Sequence, residues 1–569
     1  MGPQKIPRAG KCGRAVFRRL TRFPEDNTFA RFHKMDQPPE IVACENGPKP
    51  RPIRLWLSLI LLLGFGIRVT GLWWGQAYCY GSQGDCLEAY QVAVNYARGE
   101  EQAQYLGQPN YNKHAKLPGP LWTLFCREGL RLGGGSLAGA VWLIILLNTG
   151  AIYLTYLLAA RTVGAPAALW AALLMAVSPS AVFYSAVVFN PCVMPLAGGL
   201  LFLALWRTAC QGRTKVVFWI PFLLLAMLQF HMSGLMLIPA VVLVLALSPA
   251  RLNYPWLAAG VLAGFCLYLP YIHGEMAHGW ENTRGMVTGA GNPYWPGTLR
   301  IFIAPLSFLV NLWTPLWVYT PAEYGNMGRA CFGAFGLFLA VNALSVVAAA
   351  FLVWGAFWLI KKNLRGFFRS PRAGFARAPG IVFLAVVFLV PLLANFSNAQ
   401  VFQGRYCLVL LPVLFSLAGA GVGYWLARPH LRRTVPIILL VSTGATAWFM
   451  PAMFHFQKTF IQDGPRFVPG LAKLETVYQR LKAHAGKDHR VQVDDADYLQ
   501  ALPQQEKLLH QAGLIRWYVA IREKEDSALP GNTAAMTCRL RAADQVRPED
   551  PAVIYIGNGI ALVVQTSKP

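Results

Sequence analysis

The stretch YGSQGDCLEAYQVAVNYARGE, residues 80–100, decides how this chain is read, because it follows the first strongly apolar run, residues 53–74, after only a few residues. It brings two acids, Asp85 and Glu88, one helical turn apart. At that spacing they share one face of a helix. Leu87, Ala89, Val92, Val94 and Ala97 give the same helix an apolar side to lay on a membrane. A solvated polar face would show the same spacing, so the position of the stretch in the whole chain has to separate the two readings.

Of the 569 residues, 55% are hydrophobic, 13% aromatic and only 14% charged, which lies outside the range of soluble globular proteins. The net charge of +25 would suggest nucleic acid in a soluble protein. Here Lys and Arg cluster beside apolar runs, where they act as topology signals. The eleven cysteines show no CxxC pairing and no Cys/His cluster of the zinc type. Cys79 and Cys86 are candidates for a disulfide in an oxidising compartment.

Runs of about 20 apolar residues span a bilayer as helices. The candidates are 53–74, 137–159, 165–184, 187–206, 215–230, 232–248, 254–273, 332–360, 380–397, 405–427 and 434–453. The run 299–320 has prolines and polar breaks that suit a helix lying on or re-entering the membrane. Basic residues concentrate in 1–54, at Arg161, in 207–215, at Arg251, in 361–377 and in 428–433. With these on the cytoplasmic side, about eleven spans alternate, with the N-terminus inside and the C-terminus outside. The expected organisation is a basic, disordered cytoplasmic tail (1–52), a polytopic α-helical domain (53–454) and a small extracytoplasmic α/β domain (455–569). In the last, LAKLETVYQRLKAHAG suggests an amphipathic helix, HRVQV a strand, and AVIYIGNGIALVVQT a hairpin turning on Asn558 and Gly559. Loop 75–136, the turns at 185–190 and around His231, loop 274–331 and residues 398–404 then share the outer side of a multi-pass protein of the plasma (inner) membrane.

On that side lies GQPNYNKHAKLPGPLW, residues 107–122, where His114 and Lys116 precede a Pro-Gly-Pro entry into the amphipathic LWTLFCREGLRL. Two cations beside a membrane-surface helix suit an anionic lipid headgroup, and a basic interfacial anchor is the plainer alternative. His231 sits at a turn between two short apolar runs, either facing a cavity or satisfied by a neighbouring helix end. No Rossmann fingerprint or P-loop is present.

The order D..EAY..A.NYARG (from Asp85), then H.KLPGPLW (from His114), resembles the first extracytoplasmic loop of GT-C class membrane glycosyltransferases. The nearest group is the family 39-like one that contains protein O-mannosyltransferases and lipid A aminoarabinose transferases. SPSAVFYSAVVFNPCVMPL (178–196), LQFHMSGLMLIPA (228–240), LPYIHGEMAHGWENT (269–283) and QGRYCLVLLPVL (403–414) extend the resemblance over about 53–427 in conserved order. It implies a GT-C fold that moves a hexosyl or pentosyl group from a polyprenyl-phosphate donor to a hydroxyl or amine of a lipid, protein or glycan, with inversion. By the resemblance Asp85 is the general base, and Cys86 stands where many members carry a second acid, so that Glu88 is the nearest substitute. Lys116, His114, Arg405 and Tyr406 match segments that face the donor phosphate, while Asn190, His231 and Glu275 are substrate-positioning candidates. No cofactor is required; Asp85, Glu88 and His231 or His114 make up the ligand set if a divalent cation is used. The competing classes are a polyprenyl-lipid flippase or transporter, and a catalytically inactive subunit of the same fold. Transporters place ionisable residues near the midplane, whereas these spans are almost free of Asp and Glu.

Overall fold

The computed structural model describes residues 50–73, 85–109, 115–134, 138–289, 312, 335–396, 404–456, 478–483, 490–494, 535–542, 553–557 and 560–565. Residues 1–49 of the tail expected at 1–52, Cys79, His114, the run 299–320 apart from Leu312, and most of 457–552 lie outside these residues, and residues 50–52 open the first helix. The backbone of Asp85, Cys86 and Arg405 is described, but not their side chains. By its contacts the chain divides into Met1–Ile53 and Arg54–Pro569, and all the candidate residues named above lie in the second unit.

Apolar helices stand at each of the eleven expected positions, but they are not of equal length. Among the described residues six are long and apolar enough to cross a membrane: Pro52–Leu72, Ala138–Thr162, Asn190–Ala209, Asn342–Arg369, Tyr406–Leu426 and Thr434–Ala452. Tyr254–Cys266 and Leu269–Ala277 make a seventh if counted as one span bent by 50°. Ala165–Val177, Thr214–Phe230, Met232–Leu247 and Pro379–Leu393 are shorter. Several breaks carry a proline at the first or second helical position, as at Pro179, Pro191 and Pro239, where the absent N–H costs nothing.

Small residues set the closest approaches between helices, as expected where lipid gives no hydrophobic drive to helix association. A Cβ on Gly419 would lie 2.4 Å from the carbonyl oxygen of Ala167, and one on Gly421 the same distance from that of Leu352. Helix Leu411–Leu426, which carries both glycines, is therefore wedged between Ala165–Val177 and Phe335–Arg369.

Arg68 is fully buried in the first span and sits near its C-terminal end. Its Nη1 donates to the carbonyls of Gly64 (2.9 Å) and Ala176 (2.8 Å), its Nη2 to Met175 (3.2 Å), and its Nε to Ser185 Oγ (3.0 Å). Met175 and Ala176 close helix Ala165–Val177, whose last carbonyls have no partner within the helix. A cation there also meets the negative end of the helix dipole.

After the last span, residues 478–483 form a helical turn whose Tyr478 and Leu481 are buried in the main core. Among the described residues four strands follow: β3 (Arg490–Asp494), β4 (Ala535–Ala542), β5 (Val553–Gly557) and β6 (Ile560–Gln565), in the order β3-β4-β6-β5. β3 runs parallel to β4, and β5 and β6 pair antiparallel on either side of residues 558–559.

Replacing Arg68 by Met strands the carbonyls of Met175 and Ala176. The expected cost is about 3 kcal/mol, since hydrogen bonds from a charged donor contribute roughly 1.5–3 kcal/mol each. The thermal unfolding midpoint of the purified protein should fall by several degrees, with partial recovery in Arg68→Lys.

Candidate functional site

Asp85 is the first residue of helix Asp85–Ala97, the next described element after the first span. Of the apolar side expected to lie on the membrane, Ala89 and Val94 are instead turned into the protein, together with Tyr90 and Ala93. Ala89, Tyr90, Ala93 and Val94 are buried against helix Leu121–Leu132, while Ala97 is exposed. The i, i+1, i+4, i+5 spacing of the buried residues is a helical stripe, and a second amphipathic helix covers it in place of lipid.

Glu88 faces the same interior. Gln108 Nε2 donates to Glu88 Oε2 (3.0 Å), and the indole N–H of fully buried Trp122 donates to Gln108 Oε1 (2.9 Å). This chain of two bonds sets the orientation of the Gln108 amide and ties Glu88 to the loop helix.

Gln108 lies on β1 (Leu106–Pro109), which pairs antiparallel with β2 (Lys116–Pro118). Gly119 follows with φ +114°, and a Cβ there would lie 2.3 Å from Gln229 Oε1. Gln229 is fully buried, accepts from the N–H of Leu121 (3.4 Å) and donates to the carbonyl of Leu267 (2.9 Å). The Pro-Gly-Pro turn is thereby held against the end of helix Trp219–Phe230 and the bend of the seventh span.

Lys116 is fixed through its backbone. Its N–H donates to Asn282 Oδ1 (2.6 Å) and its carbonyl accepts from Asn282 Nδ2 (3.1 Å). Asn282 and Thr283 open helix Glu281–Gly289, and their N–H groups donate to Glu275 at 3.4 and 2.7 Å. Glu275 lies in helix Leu269–Ala277, is 1% exposed and also accepts from Tyr271 OH. Both its oxygens cap the next helix, so this candidate supports Lys116 at one remove. The Lys116 ammonium donates to Gln102 Oε1 (3.0 Å). Partial burial lowers its pKa from the ordinary 10.5, with Glu100 opposing the shift.

A second latch joins the same elements. The rings of Tyr105 and His278 stack at 5.6 Å, Tyr105 OH lies 3.1 Å from His278 Nδ1, and Nε2 lies 3.7 Å from the Glu101 carboxylate. Burial, and then the carboxylates of Glu275, Glu101 and Glu281, raise the Tyr105 pKa.

The remaining candidates meet elsewhere on helix Trp219–Phe230. Three 3-10 turns, Asn190–Val193, Met232–Leu237 and Gly404–Leu410, converge, the first two packing on the third. His231 stacks on Tyr406 with centroids 4.9 Å apart. Its Nδ1 accepts the N–H of Ser233 (3.1 Å) and lies 2.8 Å from Ser233 Oγ, so this histidine caps the turn that follows it. Asn190 is buried at the start of its own turn. Helix Trp219–Phe230 touches β2, helix Leu121–Leu132 and two of the three turns, which joins the Lys116 group to the His231 group. Among the described residues no three His, Cys, Asp or Glu gather as metal ligands.

No protein-family model matches the sequence, and no curated protein matches it. Two solved structures of ArnT from Cupriavidus metallidurans do match the fold. The apo structure superposes with a TM-score of 0.53 at 11% identity, covering 90% of this chain and 98% of ArnT. The structure bound to undecaprenyl phosphate gives 0.55 at 12% identity, covering 91% and 98%. This chain has a GT-C fold. The match to ArnT takes in nearly the whole of both chains, well beyond the 53–427 on which the sequence resemblance rests. Gln108, Trp122, Gln229 and Asn282 all lie within the region that carries the resemblance, but nothing in the sequence singled them out from their neighbours; the one local signal was the Pro-Gly-Pro around Gly119.

Gly119→Ala combines a disfavoured backbone angle with a collision against a buried amide. It should cost more than about 1 kcal/mol and expose loop 75–136 to proteolysis, read as faster cleavage of the folded protein. Asn282→Ala removes both bonds to Lys116, worth about 1 kcal/mol each, and should speed cleavage in the same loop.

Proposed function

We propose that this chain is a glycosyltransferase that moves a hexosyl or pentosyl group from a polyprenyl-phosphate donor to a hydroxyl or amine of a lipid, protein or glycan, on the extracytoplasmic face of the plasma (inner) membrane. The observation that carries it is the fold shared with a structure holding undecaprenyl phosphate, over 91% of this chain. The site geometry supports the same reading: a helix beginning at Asp85 follows the first span, and a half-buried cation, Lys116, is anchored through its backbone in the same loop.

The donor's tail partitions into lipid, so the reacting sugar carbon lies at the membrane surface, which is where a loop following a span is placed. The bond from that carbon to the phosphate oxygen breaks, and the acceptor oxygen or nitrogen bonds to the same carbon from the opposite side, with inversion. The acceptor proton passes to the Asp85 carboxylate, and polyprenyl phosphate departs as an anion, which needs no general acid. Lys116 and Arg405 stabilise the growing phosphate charge. Lys116 exchanges Gln102 for a phosphate oxygen, and Tyr406, held by its stack on His231, lines the same end of the bundle. Glu88, engaged with Gln108, keeps the Asp85 helix in place.

Purified protein given undecaprenyl-phosphate sugar should release undecaprenyl phosphate, and Asp85→Asn should lower that rate by about 10²–10⁴-fold, the usual contribution of a general base, with an unchanged unfolding midpoint. Near-normal turnover of the mutant would sink the assignment of the base. Lipid movement without cleavage would identify a flippase, and neither binding nor turnover an inactive subunit.

Burial lowers the Lys116 pKa, so its charge is lost below the pH at which a free lysine titrates. Undecaprenyl phosphate affinity should therefore fall with rising pH before the ordinary 10.5 is reached. Lys116→Arg should keep the affinity flat over that range; the same fall in both proteins would remove Lys116 from the phosphate site.

A further inference from the structure

The long helix Phe335–Arg369 has 35 residues, which at 1.5 Å each is about 52 Å, against a hydrocarbon core of about 30 Å. Its lipid-facing side carries exposed Trp354, Phe357 and Trp358 within little more than a turn, a pattern that marks the level of the membrane interface. Lys361 follows directly, its ammonium 4.8 Å from the Trp358 ring centroid and 5.8 Å from that of Phe357. The chain then folds back as helix Pro371–Arg377. Gly374 allows the return, since a Cβ there would lie 2.4 Å from Phe367 Cα, and Phe375, 1% exposed, pins the short helix into the core.

With Phe375 inward, Lys361, Lys362, Arg365, Arg369, Arg372 and Arg377 are all exposed. Among the described residues none of the six is in an ion pair. The sequence offers no acid nearby in the chain either, since no Asp or Glu occurs between Glu323 and Asp463. The hairpin lies at the end of the bundle away from the Asp85 loop. Gly380, just after it, packs on the carbonyl of Thr162, at the far end of helix Ala138–Thr162 from the Leu121–Leu132 helix that meets Gly139.

A topology signal needs only charges in a loop. Here a folded hairpin holds six cations outward, the first of them drawn over two aromatic rings at headgroup depth. From this we infer that residues 361–377 form a binding surface for anionic glycerophospholipid headgroups of the adjoining leaflet. The basic groups meet the phosphodiesters, and Trp354, Phe357 and Trp358 lie along the acyl chains. This surface is separate from the donor site and does not depend on the proposed transfer reaction.

The test uses the full-length protein equilibrated with equal phosphatidylglycerol and phosphatidylcholine, with retained lipid counted by native mass spectrometry. Wild type should retain phosphatidylglycerol preferentially. Lys361→Gln/Lys362→Gln/Arg365→Gln/Arg369→Gln should lose at least about fivefold of that preference, what one cation is worth at an anionic surface. Arg428→Gln/Arg432→Gln/Arg433→Gln, in another basic turn, should keep most of it. No preference in wild type, or equal loss in both variants, would overturn the inference. A wild-type salt titration needs no variant: raising salt from about 0.1 to 1 M shortens the screening length to about 3 Å. The preference should then collapse, and its persistence would count against a headgroup site.

Discussion

Where a membrane helix breaks, its backbone carbonyls and N–H groups have no water to turn to, and each must find a partner in the protein. That constraint organises the end of this bundle where the spans break. Arg68 takes the carbonyls of Met175 and Ala176, Gln229 takes that of Leu267, Asn148 takes that of Cys192 at 2.8 Å, and His231 takes the N–H of Ser233. Arg68, Asn148 and Gln229 each reach across from another helix. Satisfying a break therefore also fixes where two helices stand relative to each other.

The candidate site inherits its geometry from these repairs. Gln229 closes the bend after Cys266 and meets Gly119 and Leu121 with the same amide, so the Pro-Gly-Pro turn and the seventh span are set by one side chain. Glu275, near the end of the bent seventh span, and Asn282 act likewise: a buried carboxylate caps the start of a helix, and that helix lends an amide to the backbone of Lys116. Little of this machinery is charged on its surface. Its effect is to fix the backbone of Lys116 against the neighbouring helices.

The places of the apolar helices and the entry of Asp85 just after the first were legible because long apolar runs and a polar break between them survive in one dimension. Lengths were less legible. Ala165–Val177 and Pro379–Leu393 read as full spans, because hydropathy does not report where a chain turns inside a buried environment. The Asp85 helix was assigned a membrane-facing side for a similar reason, since an apolar stripe does not say whether lipid or another helix covers it. Glu275 read as an acid of an outer loop, and the burial that makes it a helix cap comes from residues that fold over it.

By itself the sequence determined that this is a multi-pass membrane protein, that its acids avoid the spans, and that Asp85, Lys116, His231 and Arg405-Tyr406 fall at breaks between apolar runs. These are properties of composition and spacing, which burial alone enforces along the chain. Only the tertiary structure decided that Asn190, His231 and Tyr406 meet through three 3-10 turns, that Glu88 is tied through Gln108 to Trp122, and that Arg68 closes a helix more than a hundred residues away. The physical reason is that a lone polar side chain carries no record of its partner. Which carbonyl or carboxylate it satisfies is settled when the helices pack and exclude water.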